Sequence, residues 1–207
     1  MIYNDEFVWL HFPKCAGTKI EQLFAKYLAD VPGLVQDPVG LDLDPTVAWH
    51  DTVARRSERD PDFALGDRTV VCSFRRLPGW LVSRYNFEFR RSPDLEHKPE
   101  LLLEGRFLEQ GGFLNHADAY ARNFLPPAIV ESGKLAFLRT EYLEEDFHSV
   151  FSRFIDVSAI PTSAFRSKAN KSGQHIPADV RETLARREDD IYASCPYWRD
   201  LEKIAYA

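Results

Sequence analysis

Apolar residues fall into two patterns along this chain. Short, nearly unbroken apolar runs occur at 7–12, at Thr69–Phe74 and at 135–138. Runs of that length, bounded by polar or turn-forming residues, predict strands buried on both faces. Between them the apolar positions recur every three or four residues. Ile20, Leu23, Phe24, Tyr27 and Leu28 predict a helix that starts at Thr18 and ends at Val31-Pro-Gly. A second helix is predicted after Pro78, through Trp80, Leu81, Tyr85 and Phe89, and a third carries Leu143, Phe147, Val150, Phe151 and Phe154. Pro177 suits the first turn of a further helix running toward Ser194. Residues 31–68 are rich in Asp, Pro and Arg and predict loops with one short helix near 51–58. Residues 92–127 predict helical segments broken at Gly111-Gly112 and Pro126-Pro127, and 163–174 is a polar, basic stretch.

Strands that alternate with helices predict an α/β fold, a central parallel sheet flanked by helices. In such sheets ligands sit beyond the carboxyl ends of the strands. Three segments take that position: 13–18, 75–83 and 139–141.

Composition narrows this picture. The chain has 207 residues, 44% of them hydrophobic, which suits a single domain over 1–207 with one core. The net charge of −6 disfavours a nucleic-acid surface. No apolar run approaches the ~18 residues of a membrane span, and the acidic opening 1–6 does not resemble a secretion signal. Cys15, Cys72 and Cys195 are scattered, with no CxxC pair. That usage predicts a reducing, cytoplasmic setting with neither a disulfide frame nor a zinc site. Oligomeric state is left open by the sequence.

The first loop carries the clearest chemistry. His11-Phe-Pro-Lys-Cys-Ala-Gly-Thr18 joins a buried strand to a helix start, a place where backbone N–H groups and a lysine can face an anion. It is not a Walker A loop: Phe12 stands where the first glycine belongs, and Lys14 precedes Gly17. A cysteine-phosphatase loop built on Cys15 would want an arginine six residues on, where Glu21 stands. A plain strand-to-helix turn with a solvated lysine remains open from these residues alone.

The loop resembles the H-x-P-K-x-x-G-T segment of sulfotransferases that use 3′-phosphoadenosine-5′-phosphosulfate (PAPS), in the form found in carbohydrate sulfotransferases and their bacterial relatives. Three further segments follow in the family's order. Val70-Val-Cys-Ser-Phe-Arg-Arg-Leu-Pro-Gly-Trp-Leu-Val-Ser-Arg-Tyr85 is similar to the 3′-phosphate segment, with Arg75 and Ser83 at the matching positions. It departs from the family in having proline one place late, at Pro78, and Trp80 where a second arginine is usual; Arg76 and Arg84 are the candidate substitutes. Trp49-His-Asp-Thr-Val-Ala54 resembles the family's H-x-T-A segment, near which relatives keep a histidine or glutamate as catalytic base. Leu138-Arg-Thr-Glu-Tyr-Leu-Glu-Glu-Asp-Phe147, followed by Lys168-Ala-Asn-Lys-Ser-Gly173, resembles the family's R-x-E-x-L-x-x-D-F segment and its polar nucleotide-covering loop.

The resemblance spans roughly residues 7–175 and weakens with distance from the first loop. It implies a P-loop-NTPase-like sulfotransferase fold and transfer of a sulfuryl group from PAPS to a hydroxyl or amine of a small metabolite or saccharide. The product would be adenosine 3′,5′-bisphosphate, and no metal would be needed. Pro13, Lys14, Cys15, Ala16, Gly17, Thr18 and Lys19 would hold the 5′ end. Arg75 and Ser83 would hold the 3′-phosphate, and Lys171 and Ser172 would add contacts from the polar loop. Lys14 and His50 would be catalytic, since a histidine of ordinary pKa near ~6.5 suits removal of the acceptor proton. His11, Glu58 and Glu88 are rival bases, with His11 better suited to packing or bracing the loop. Two other readings stay open: an ATP-dependent, kinase-like phosphotransferase, and a non-catalytic nucleotide-binding relative.

Overall fold

The computed structural model describes residues 1–37, 50–109, 111–166 and 175–207. Contacts divide the chain into two compact units, Met1–Phe74 with Phe124–Ala169, and Arg75–Asn123 with Asn170–Ala207.

The first unit is built on a five-stranded sheet in the order β3-β1-β2-β4-β7. Its strands are β1 (Ile2–Tyr3), β2 (Phe7–Leu10), β3 (Val35–Gln36), β4 (Thr69–Phe74) and β7 (Leu135–Arg139). β2, β4 and β7 run parallel, with Leu10 opposite Cys72 and Phe74 opposite Arg139. β1 pairs antiparallel with both β2 and β3. The sheet is therefore mixed, not wholly parallel. The reason is local: Asn4 Oδ1 accepts from the N–H groups of Glu6 and Phe7, which closes a tight turn and folds β1 back on β2.

Successive residues of β2 point to opposite faces. Phe7 and Trp9 join Ile20, Leu23 and Phe24 of α1 (Gly17–Tyr27) and Phe147 and Phe151 of α6 (Leu143–Phe151) in one core. The rings of Phe24 and Phe151 lie 5.0 Å apart and those of Phe7 and Phe151 5.2 Å apart. On the other face Phe12 packs against Phe124 and Phe74. Each such side chain contributes about 1.5–3 kcal/mol by leaving water. The one polar pair between the central strands is satisfied: Trp9 Nε1 donates to Ser73 Oγ at 3.0 Å.

The second unit contains α3 (Leu77–Arg91), a 3-10 turn (Pro99–Glu104), a hairpin of β5 (Arg106–Leu108) and β6 (Leu114–His116), and most of α4 (Ala117–Phe124). Three helices follow, α8 (Ala178–Arg186), α9 (Glu188–Ser194) and α10 (Pro196–Ala205). The hairpin replaces the helical break expected at Gly111-Gly112, because both glycines take positive φ and close its turn. Trp80 is fully buried among Trp198, Phe107 and Tyr120. The remaining short helices are α2 (Val53–Arg59), α5 (Pro127–Val130) and α7 (Ser163–Arg166). None of the helices among the described residues is long and apolar enough to cross a membrane.

The end of β7 is tied down by one carboxylate. Asp146 accepts from the Arg139 backbone N–H at 2.6 Å and from Arg139 Nε and Nη2 at 2.9 and 2.7 Å. Asp146→Ala removes the shared acceptor of a part-buried N–H and of the Arg139 guanidinium together. A loss of about 3 kcal/mol in urea unfolding is expected, against a much smaller loss for a fully exposed carboxylate such as Asp67.

Candidate functional site

The loop after β2 is tight and strained. Phe12 N donates to Leu10 O at 2.9 Å and Cys15 N to Phe12 O at 3.3 Å. Lys14 and Ala16 both take positive φ, 68° and 63°. Side chains with a Cβ rarely adopt that conformation, which costs on the order of 1–2 kcal/mol per residue. Left- and right-handed residues in succession turn their N–H groups toward one concave side, which is the geometry of an anion nest. Burial alternates to match: Pro13, Cys15 and Gly17 are buried, while Lys14, Ala16 and Thr18 are half-buried. α1 begins at Gly17 with no side-chain cap and no acid in its first turn. Its first N–H groups and the positive end of its dipole therefore favour an anion. Among the described residues the Thr18 hydroxyl has no hydrogen-bond partner.

Beneath this loop lies a buried polar pair that the sequence did not reveal as a pair. His11 Nδ1 is 2.7 Å from Glu21 Oε1, and the residues are 4% and 5% exposed. A Cβ added to Gly17 would stand 1.9 Å from His11 Nε2, so the ring occupies the space a side chain at 17 would need. The ring also meets Trp9, and it meets His50 edge to face with centroids 4.5 Å apart. Burial pushes the His11 pKa down to about 3, helped by the charges of the Met1 amino group and Lys14. Burial pushes the Glu21 carboxyl up to about 7, opposed by the Met1 amino group. Near neutral pH the ring is uncharged, and the carboxyl keeps its proton to higher pH than an exposed one would.

The segment after β4 belongs to the second unit. Its Arg75 backbone oxygen accepts from Trp198 Nε1 at 3.2 Å, and the Leu77 N–H donates to Glu202 Oε1 at 2.6 Å. Those two bonds hold the start of α3. The Arg75 guanidinium runs along Gly79, where an added Cβ would come within 3.2 Å of Arg75 Nε. Ser83 lies one turn further on the same helix face as Gly79. Among the described residues neither the Arg75 side chain nor the Ser83 hydroxyl has a hydrogen-bond or ion-pair partner. Gly79, which the sequence does not single out, makes room for the Arg75 side chain; its signal is an Arg-x-x-x-Gly spacing at a helix start.

The candidate substitutes for the second arginine are occupied elsewhere. Arg76 lies 4.2 Å over the Tyr206 ring and 3.8 Å from Glu202. Arg84 is buried and pairs with Glu88 and Glu109. Of the rival bases, Glu88 is 2% exposed in that cluster, and Glu58 is exposed on α2. His50 is half-buried just before α2, whose Thr52 caps Arg55 N. Lys19 is buried and donates to the Ala164 backbone oxygen at 2.9 Å, so it ties α1 to α7. Cys15 and Cys72 are fully buried, which keeps the Cys15 thiol from acting as an accessible nucleophile. Trp49, Lys168, Lys171 and Ser172 lie outside the described residues. Among the described residues no group of three His, Cys, Asp or Glu side chains is arranged to hold a metal.

The structure thus brings Lys14, Ala16, Gly17, Thr18, His11, Glu21 and His50 together in the first unit, and Arg75, Gly79 and Ser83 together in the second. No protein-family model, curated protein or solved structure matches the chain.

The His11–Glu21 pair makes a pH prediction. A carboxyl raised from 4.5 to about 7 on folding favours the protonated folded state, so its contribution to stability falls as pH rises through that window. A histidine lowered from 6.5 to about 3 acts in the opposite sense, adding stability as pH rises. The two slopes oppose each other between pH 4.5 and 6.5. Glu21→Gln removes one of them. Relative to the wild type, its unfolding free energy should rise by up to about 1.4 kcal/mol per pH unit across this range. Parallel pH profiles for the two proteins in denaturant titrations would show that the carboxyl does not titrate there.

Proposed function

We propose that the chain is a PAPS-dependent sulfotransferase acting on a hydroxyl or amine of a small metabolite or saccharide. The observation that carries this reading is the backbone at Lys14 and Ala16. Two residues with side chains sit at positive φ in the loop that opens an uncapped helix. Strain of this kind collects where function demands it, and here it surrounds the lysine of the H-x-P-K-x-x-G-T segment.

Sulfuryl transfer, like phosphoryl transfer, needs in-line positioning and stabilisation of charge more than covalent help from the protein. The bond from sulfur to the bridging oxygen breaks as the acceptor oxygen or nitrogen bonds to sulfur. Negative charge grows on the leaving 5′-phosphate. Lys14 would neutralise it, and the N–H groups around Ala16 and Gly17 with the Thr18 hydroxyl would hold the phosphate oxygens. Arg75 would clamp the 3′-phosphate with its planar fork, and Ser83 would add a hydroxyl. His50 would accept the acceptor's proton. Trp80 in the core of the second unit supports a 3′-phosphate held with one arginine fewer than the family pattern.

Lys14→Ala should lower transfer of labelled sulfuryl from PAPS by about 100-fold or more, while calorimetry still detects adenosine 3′,5′-bisphosphate. Arg75→Ala should mainly weaken that binding, by about 10- to 100-fold. Full turnover in the Lys14 variant would sink the assignment. In thermal shift, stabilisation by ATP with magnesium but not by the bisphosphate would favour the kinase-like reading instead.

A further inference from the structure

We propose that His11 is a positioning residue that couples the Lys14 loop to His50, and that Glu21 holds its ring in place for that task. The role given to His50 rests on the sulfotransferase reading; the contacts themselves do not.

One buried ring meets three separate pieces of chain. Its Nδ1 is fixed by Glu21 on α1, 2.7 Å away. Its Nε2 edge lies over Gly17, the first residue of α1, where no side chain could fit. Its flank meets the His50 ring at 4.5 Å and 79°, and Trp9 of β2 closes another side at 5.3 Å. At 4% exposure the ring has no solvent gap to turn into. A shift of His11 therefore moves the loop's last residue and His50 together, because close-packed groups transmit displacement.

Glu21 also sets which ring nitrogen carries hydrogen. When the carboxyl is protonated its O–H donates to Nδ1, and the proton of the neutral ring stays on Nε2. When the carboxyl is ionised, Nδ1–H donates to it and Nε2 is left as an acceptor. The face that the ring turns toward Gly17 thus changes character with one proton on Glu21. Among the described residues, the other charged or titratable groups facing this ring are Lys14 from the loop, the Met1 amino group beside β1, and His50. The first two disfavour a cationic ring, so the switch is between neutral tautomers.

The test compares wild type, His11→Phe, Glu21→Ala and Glu21→Gln. Side-chain NMR follows the His50 ring across pH, with His50→Gln assigning its signals. His11→Phe and Glu21→Ala should move the His50 titration midpoint by about half a pH unit or more. In both, kcat should fall by about 10- to 100-fold through misplacement, with the acid limb of the rate profile following the NMR midpoint. Bisphosphate affinity should weaken by less than kcat falls, since neither residue is assigned to the phosphates and only the Gly17 end of the loop moves with the ring. Glu21→Gln keeps a hydrogen bond to Nδ1, so it should restore most of kcat. Lower stability with an unmoved His50 midpoint and an unmoved acid limb would reduce His11 to a packing residue and overturn the proposal. If the wild type neither binds bisphosphate nor transfers sulfuryl, the functional reading falls separately, and the NMR midpoints still decide the coupling. If His11→Phe does not fold, the Glu21 pair decides it.

Discussion

The ring of His11 lodged over Gly17 is the constraint on which the first unit's candidate chemistry depends. It explains why position 17 is glycine: a Cβ there would stand 1.9 Å from Nε2. It explains why α1 can start where it does, because the ring fills the space under the first turn. It also explains a buried carboxyl on an otherwise apolar helix face, since Glu21 is the group that stops the ring from rotating. Gly17 is usually the kind of residue credited with letting a ligand approach the backbone. Here its first duty is to admit a protein side chain from below.

The second unit solves a comparable problem with carboxylates. Asp118 accepts from Tyr197 N and Trp198 N at 2.9 and 2.8 Å and so caps α10. Glu202, on α10, caps Leu77 N at the start of α3 and receives the Tyr192 hydroxyl at 2.8 Å. Trp198, between them, donates to the Arg75 carbonyl. Each step fixes the next, and the last places the Arg75 backbone. The same packing explains the departure at Trp80. An arginine there would carry a guanidinium into a site fully closed by Trp198, Phe107 and Tyr120, and an unpaired buried charge is far costlier than an indole.

What could be read from sequence depended on how local the signal was. β2, β4 and β7 were legible because each is an unbroken apolar run, and α1, α3 and α6 because their apolar residues repeat at helical spacing. β1 and β3 have two residues each and owe their existence to the Asn4 turn and to pairing across the chain, which no window of residues contains. The Gly111-Gly112 pair was read as a helix break, yet it makes a hairpin turn; both uses need positive φ, so the glycines alone could not separate them. At the site, Lys14, Gly17 and Thr18 stood out through their spacing. Glu21 registered only as an obstacle to a phosphatase loop, because its partner lies ten residues back across a strand end. The continuous helix expected from Pro177 to Ser194 is two, α8 and α9, meeting at Arg187.

The choice of residue at position 14 bears on what the loop is for. A left-handed backbone is easiest for glycine, then for asparagine or aspartate. Lysine has no intrinsic preference for that conformation, and its long side chain carries about 2 kcal/mol of rotamer entropy that a fixed position forfeits. Lysine at φ 68° and alanine at φ 63° flank Cys15, and neither is a residue type that the left-handed region favours. The strain becomes intelligible if the ammonium must stand at one point relative to the N–H groups that follow it. The fully buried Cys15 between the two anchors the loop from the inside, so neither neighbour can relax by rolling over. In this arrangement the backbone restricts where the charge can stand in the free protein, and preorganised charge is what the proposed transfer, with its departing anion, would require.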